Sequence, residues 1–198
     1  MKKTILSIAV VAAAIAMSSC GNKSNAPVAN GNEANEKQSE AAVPDGFKTC
    51  EFTKFSISVP EDFIPGEEQD YGGSTTVRFA TEKMVKHDDG EEYSSSATID
   101  CGYVADGSTP SQIKEVASTM KLSQEAAGET CDEPIIDGNT ILMRHYIDSG
   151  EGYKVITWRW WILSDSGKSV AGNISYSDTE GKYYDGIAQQ IVKTIKMK

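Results

Sequence analysis

Tyr153-Lys154-Val155-Ile156-Thr157-Trp158-Arg159-Trp160-Trp161-Ile162-Leu163 decides the fold. In an extended chain successive side chains point to opposite faces. Ile156, Trp158, Trp160 and Ile162 then share one face. Tyr153, Val155, Trp161 and Leu163 take the other, with Thr157 and Arg159 between them. Both faces are largely apolar. Such a strand belongs inside a sheet, covered on both sides.

The flanking residues say how the neighbours pair. Ser149-Gly150-Glu151-Gly152 and Asp165-Ser166-Gly167 are short polar turns. They join the tryptophan strand to extended runs at Thr140–Ile147 and Ser169–Tyr176. Asp137-Gly138 joins Pro134–Ile136 to the first of these. Turns this short connect antiparallel strands. Upstream, residues 74–85 and 93–104 form a hairpin with a charged tip at His87-Asp88-Asp89-Gly90-Glu91-Glu92. Further upstream, Phe55, Ile57 and Val59 alternate with Lys54, Ser56 and Ser58, so that stretch is a half-buried strand that stops at Pro60.

Two helices complete the pattern. Thr109 can cap the first, Pro110 suits its first turn, and Gln112 has capping-box spacing. Ile113, Val116, Ala117 and Met120 make an apolar stripe, and Gly128 ends the helix after about residue 127. The second is predicted from Ser177 and Glu180 onward, with Tyr184, Ile187, Ala188, Ile191, Val192 and Ile195 on one side. Gly181 and Gly186 weaken it. The fold class is α+β: an antiparallel sheet with helices packed on its faces, in one domain over residues 47–198.

The order of these elements resembles the Mog1/PsbP-like fold, an α-β-α sandwich found in several bacterial lipoproteins. The residues that carry the resemblance are Phe55-Ser56-Ile57-Ser58-Val59-Pro60 at the start and Asn173-Ile174-Ser175-Tyr176 running into Ile191-Val192-Lys193-Thr194-Ile195-Lys196 at the end. The resemblance implies a binding or assembly factor. It implies no particular partner, because a fold alone does not fix a function.

The N-terminus gives an address. Lys2 and Lys3 precede an apolar run from Ile5 to Met17, which is too short to span a bilayer and reads as an export signal. It ends in Met17-Ser18-Ser19-Cys20-Gly21, which resembles a bacterial lipobox with Met17 where Leu is usual. Residues 1–19 are then a cleaved signal peptide and Cys20 is the lipid-attachment site. Acyl chains contribute about 0.8 kcal/mol per buried methylene, so such an anchor needs no protein span. Gly21, not Asp, follows the cysteine, and the resemblance then implies an outer-membrane position facing the periplasm. Residues 20–46 hold the lipidated cysteine and a polar stretch without aromatic residues. That stretch is expected to be a disordered tether with a span of roughly 25–30 Å.

Charge narrows the partners. The chain carries a net charge of −10, which becomes −12 once the leader takes Lys2 and Lys3 with it. A surface this acidic does not suit nucleic acid. The membrane is therefore engaged through lipid, and the expected partner is an envelope protein.

The chemistry-bearing residues are sparse. Cys50, Cys101 and Cys131 remain after the anchor, allowing three alternative disulfide pairings and one leftover thiol. No C-x-x-C pair supports zinc or redox chemistry. His87 lies among acids in the hairpin tip but lacks a calcium-loop pattern, so a solvated turn is expected and no metal is assigned. His145 lies on a strand with no G-x-S-x-G element and is read as structural. Trp158, Trp160 and Trp161 are core residues first and a ligand wall second. Gly72-Gly73 is a turn. No catalytic residue and no cofactor is expected. The function expected is a non-catalytic lipoprotein that binds a protein or supports assembly. The alternatives are a small-ligand (apolar or sugar) binder using the aromatic strand, and an enzyme with an unrecognised site.

Overall fold

The computed structural model describes residues 42–87 and 90–198. The expected signal peptide, Cys20 and the expected tether up to residue 41 lie outside the described residues, as do Asp88 and Asp89. The first strands are β1 (Phe47–Glu51), β2 (Phe55–Pro60), β3 (Phe63–Pro65), β4 (Gln69–Tyr71), β5 (Ser74–Thr81), β6 (Met84–Lys86), β7 (Glu92–Ser94) and β8 (Thr98–Val104). A helix, α1 (Ile113–Ala126), separates them from β9 (Thr130–Cys131), β10 (Ile135–Asp137), β11 (Thr140–Asp148), β12 (Lys154–Leu163) and β13 (Ser169–Ser177). Short turns α2 (Gly181–Tyr184) and α3 (Ile187–Ile191) lead to β14 (Lys196–Met197).

Among the described residues every strand pairing is antiparallel. The large sheet runs β10-β11-β12-β13-β8-β5-β3, with β9 also on β11 and β4 also on β5. A second sheet runs β1-β2-β14, and β6 pairs with β7 as a separate ribbon. The tryptophan strand lies inside the large sheet, as its two apolar faces require.

Trp160 is 0 % exposed and sits opposite Gly172 on β13. A Cβ at Gly172 would come 2.6 Å from the Trp160 ring and 2.5 Å from the Asp100 carbonyl oxygen. Only glycine leaves room for the indole. Around it Phe55, Ile57, Phe79, Ile99, Ile174 and Ile191 form the main core. The opposite face has a smaller core, where Ala117 and Met120 of α1 pack with Ile141 and Met143, and Trp161 leans against them.

Three expectations need correction. The first concerns the layers. The chain is dominated by sheet, and the main core is closed by β2 and broken helical turns as much as by any helix. The second concerns the terminal helix, which is not continuous. It leaves helical geometry at Asp185 (ψ 130°), and Gly186 takes φ 87°. Asp185 Oδ1 accepts a hydrogen bond from the Tyr176 hydroxyl at 2.6 Å, which draws the backbone out of the helix. Ile195 is extended, because Lys196–Met197 must pair with β2.

The third correction is to the hairpin, which breaks between β5 and β6 and again between β7 and β8. Ser95 and Ser96 turn inward there to a carboxylate. Ser95 Oγ donates to Glu180 Oε2 at 2.6 Å, and Ser96 donates to Oε1 from its N–H at 3.0 Å and its hydroxyl at 2.8 Å. Glu180 is 2 % exposed, so these three bonds replace its water. The first helix begins as expected. Pro110–Gln112 form a 3-10 turn, and the Thr109 N–H donates to Gln112 Oε1 at 3.1 Å.

Trp160→Ala should therefore destabilise the domain by about 3–5 kcal/mol, the usual cost of deleting a buried tryptophan. Urea unfolding of both proteins measures this, and a loss under about 1 kcal/mol would contradict the packing described.

Candidate functional site: an open polar sheet face beside α1

The strand register lays out the face of the large sheet that α1 partly covers. One transverse row reads Thr76, Gly102, Ala171, Trp161, Ile141 from β5 to β11. The next reads Arg78, Asp100, Asn173, Arg159, Met143. A third runs through Thr98, Ser175, Thr157 and His145 to Cys131 on β9. At the β11 end the first two rows are apolar and pack under α1. Toward β8 they become polar, and the face opens.

Beside Trp161 lies a shallow groove of about 260 Å³, lined among others by Thr76, Asp100, Gly102, Arg159, Ala171 and Asn173. Gly102 and Ala171 put no large side chain on its floor. Gly102 has a second reason to be glycine: a Cβ there would meet the Thr75 carbonyl oxygen at 2.4 Å. Thr157 and Ser175 bond to each other at 2.9 Å, and Asn173 Nδ2 donates to Ser175 Oγ at 3.3 Å.

The charges on the middle row are unequally matched. Arg78 donates to Asp100 twice, Nε to Oδ1 at 2.7 Å and Nη2 to Oδ2 at 3.1 Å. Arg159 is half-buried, and its guanidinium forms no hydrogen bond or ion pair with any described residue. Burial pulls that guanidinium below its ordinary value, and the nearby Glu129 offsets part of the effect.

His145 lies one row along and is 3 % exposed. Its Nδ1 contacts Glu129 Oε2, which fixes the tautomer with the proton on Nδ1 when the ring is neutral. Nε2 is buried and has no partner among the described residues. Burial holds His145 below the usual histidine range. The Arg159 charge pushes the same way, and Glu129 opposes both. A histidine–carboxylate pair can serve as a general base when a hydroxyl or thiol reaches the free nitrogen. None of the described hydroxyls or thiols bonds to Nε2. Cys131 sits opposite His145 in the ladder, but its Sγ contacts the Lys121 carbonyl oxygen at 3.9 Å, and burial raises its pKa and keeps it a thiol.

The other residues singled out from sequence fall elsewhere. Cys50, Cys101 and Cys131 are all free thiols, so none of the three alternative bridges forms. Burial drives the Cys101 thiol far up. The His87 ring lies 4.7 Å from the Tyr93 ring. Among the described residues no group of three or more His, Cys, Asp or Glu is arranged to hold a metal ion. Gly72 and Gly73 make the turn between β4 and β5, with φ 69° and 108°. Trp160 belongs wholly to the core, and Trp161 borders the groove. Arg78, Asp100, Glu129 and Asn173 were not singled out from sequence. The available signal was Arg159, a cation on a strand otherwise built for burial.

The architecture is that of a Mog1-like fold. The Saccharomyces cerevisiae Ran-binding protein Mog1p matches with a TM-score of 0.52 at 12% identity, over 76% of this chain and 94% of that one. A mutant of protein Mog1 matches with a TM-score of 0.51 at 12% identity, over 76% and 95%. No family model matches the chain, and no curated protein does. Identity this low establishes the fold alone.

The buried His145 gives a pH prediction. Its folded pKa is depressed, so the unfolded chain takes up the proton first as pH falls below about 6.5. The stability linked to His145 is complete above that pH and is lost on acidification. His145→Gln should flatten the fall in melting temperature between neutral pH and about pH 5. Parallel curves for the two proteins would contradict the depressed pKa.

Proposed function

We propose that this chain is a lipid-anchored protein of the bacterial cell envelope, held at the outer membrane facing the periplasm, whose domain binds a protein partner without catalysing a reaction. The address rests on Met17-Ser18-Ser19-Cys20-Gly21 at the end of the apolar leader. Among the described residues no helix is long and apolar enough to cross a membrane.

One observation carries the binding role. The β10 end of the large sheet exposes Ile135 (54 %), Ile136 and, from the neighbouring α1, Leu122 (63 %). Ile136 and Leu122 line one groove of about 430 Å³. Sheet edges are ordinarily protected by charge, proline or a cover, because unpaired backbone recruits other strands. Here the edge strand carries two exposed isoleucines. The partner that suits it is an extended protein segment that adds to β10 and seats apolar side chains against Leu122 and Ile136. Mog1p is a Ran-binding protein, so binding a protein is within the range of this fold. Its partner is not carried over at 12% identity.

Two measurements test the two halves. Cys20→Ala should move the chain from the membrane fraction to the soluble fraction; continued sedimentation with membranes would defeat the lipid anchor. Leu122→Asp combined with Ile136→Asp changes exposed positions, so the melting temperature should hold. A partner recovered from envelope extract on the unaltered chain should be lost on the double variant. Equal recovery on both would remove this edge as the binding surface.

A further inference from the structure

The groove beside Trp161 shares no lining residue with the β10 edge, and its chemistry is independent of that edge. Its most telling member is Arg159. Removing a cation partly from water costs free energy that a structural arginine recovers through a carboxylate or several acceptors. Arg159 makes no such contact within the described chain, and Glu129 offsets the cost only in part and at a distance. The nearby acids are already committed. Asp100 is held by both arms of Arg78, and Glu129 is held by His145. Glu129 is felt by Arg159 electrostatically without forming an ion pair.

The neighbouring groups are also donors. Trp161 Nε1 is buried and finds no acceptor among the described residues. Asn173 Nδ2 uses one proton on Ser175 and has a second. A guanidinium and an amide N–H thus lie on one groove beside the Trp161 ring, and the carboxylate on the same groove, Asp100, is already taken by Arg78. We propose that this groove binds a carboxylate group, with Arg159 as its counter-ion and the Trp161 ring beside the body that carries it.

Volume and charge narrow the class. About 260 Å³ is at the small end for ligand sites, which generally run from about 300 to 1,000 Å³. It holds a group the size of an amino-acid side chain, not a nucleotide or an oligosaccharide. One guanidinium, with Asp100 alongside, matches a single negative charge better than a phosphate dianion. The planar two-oxygen geometry of a carboxylate also fits the guanidinium fork. The small-residue floor made by Gly102 and Ala171 lets the carrying group lie flat on the sheet. The same chemistry can arrive as a small free carboxylic acid or as the C-terminal carboxylate of a peptide.

The test uses the full-length chain as isolated from cells. The Trp161 indole N–H resonance, assigned with Trp161→Phe, is followed on titration with three probes across the millimolar range. These are phenylacetate, a short peptide with a free C-terminus, and the same peptide amidated. A saturable shift with phenylacetate, with the free-acid peptide or with both supports the proposal, and the tighter of the two identifies the source. The amide should bind at least tenfold more weakly. Arg159→Met keeps the apolar stem and removes the charge, and should weaken carboxylate binding at least tenfold. Ala171→Leu leaves Arg159 in place and fills the floor, and should do the same. No saturable shift with either acid on the unaltered chain would overturn the proposal. So would equal binding of acid and amide, or undiminished binding by a folded Arg159→Met.

Discussion

The register of β12 against β13 is the constraint on which the other features depend. Trp160 fits only because Gly172 lies opposite it, where any Cβ would strike the ring. Side chains on a strand alternate faces, so a slip of one residue would exchange them all. It would turn Trp160 out and Arg159 into the main core. Neither can happen cheaply: one exposes a large apolar ring and the other buries a bare charge. The same contact that holds the core therefore fixes which residues reach the open face. It sets Trp161 under the edge of α1 and sets Arg159 in line with Asn173, Asp100 and Arg78.

A second device holds the C-terminal segment against this sheet. Glu180 is enclosed by Ser95 and Ser96. Tyr184 reaches Ser95 at 2.7 Å, and burial lifts its hydroxyl pKa to about 12. Helical spacing alone would carry the chain past Tyr184 in one direction. Instead Asp185 is taken by Tyr176, and Thr194 accepts from the Ser58 N–H at 2.9 Å. These bonds join the C-terminal segment to β13 and β2 and explain why an apolar stripe with good helical spacing is delivered as short helical turns and a strand. Apolar burial is preserved, since Tyr184, Ala188 and Ile191 all reach the core. Only the backbone path differs.

That contrast explains what could be read from sequence. The strands around Trp160 were legible because their determinants are local: alternation along the run and polar turns at each end. The first helix was legible for the same reason, through Thr109, Pro110 and the Ile113–Met120 stripe. The break at Asp185 depends on a tyrosine on another element, and the break at Ser95 depends on a carboxylate far along the chain. Neither partner is visible in a window of neighbouring residues. The groove was hidden in the same way. Arg78, Asp100, Asn173 and Arg159 are separate polar residues in four strands, and become a row only when the sheet order β5-β8-β13-β12 is known. His145 was legible as a strand residue, whereas its partner Glu129 lies between the end of α1 and β9.

Arg159 gains its meaning from the charges of the whole chain. With a net charge of −10 the protein has more acids than cations, so an arginine has no shortage of candidates for pairing. Arg78 has taken one on the same row, with both arms. If Arg159 served only to fill space beside Met143, a methionine would supply the same stem without the desolvated charge, and replacing buried ionic groups with apolar ones of similar size is often neutral or stabilising. A guanidinium without a direct partner at the rim of a groove with a small-residue floor is thus a cost to folding that the fold offsets only in part, through Glu129 at a distance. The recovery that chemistry allows is an anion from outside, delivered at close range where the local cation outweighs the general acidity of the surface. Screening at physiological salt confines that general acidity to about 8 Å, so the long-range repulsion of an incoming carboxylate is small beside the short contact it makes on arrival.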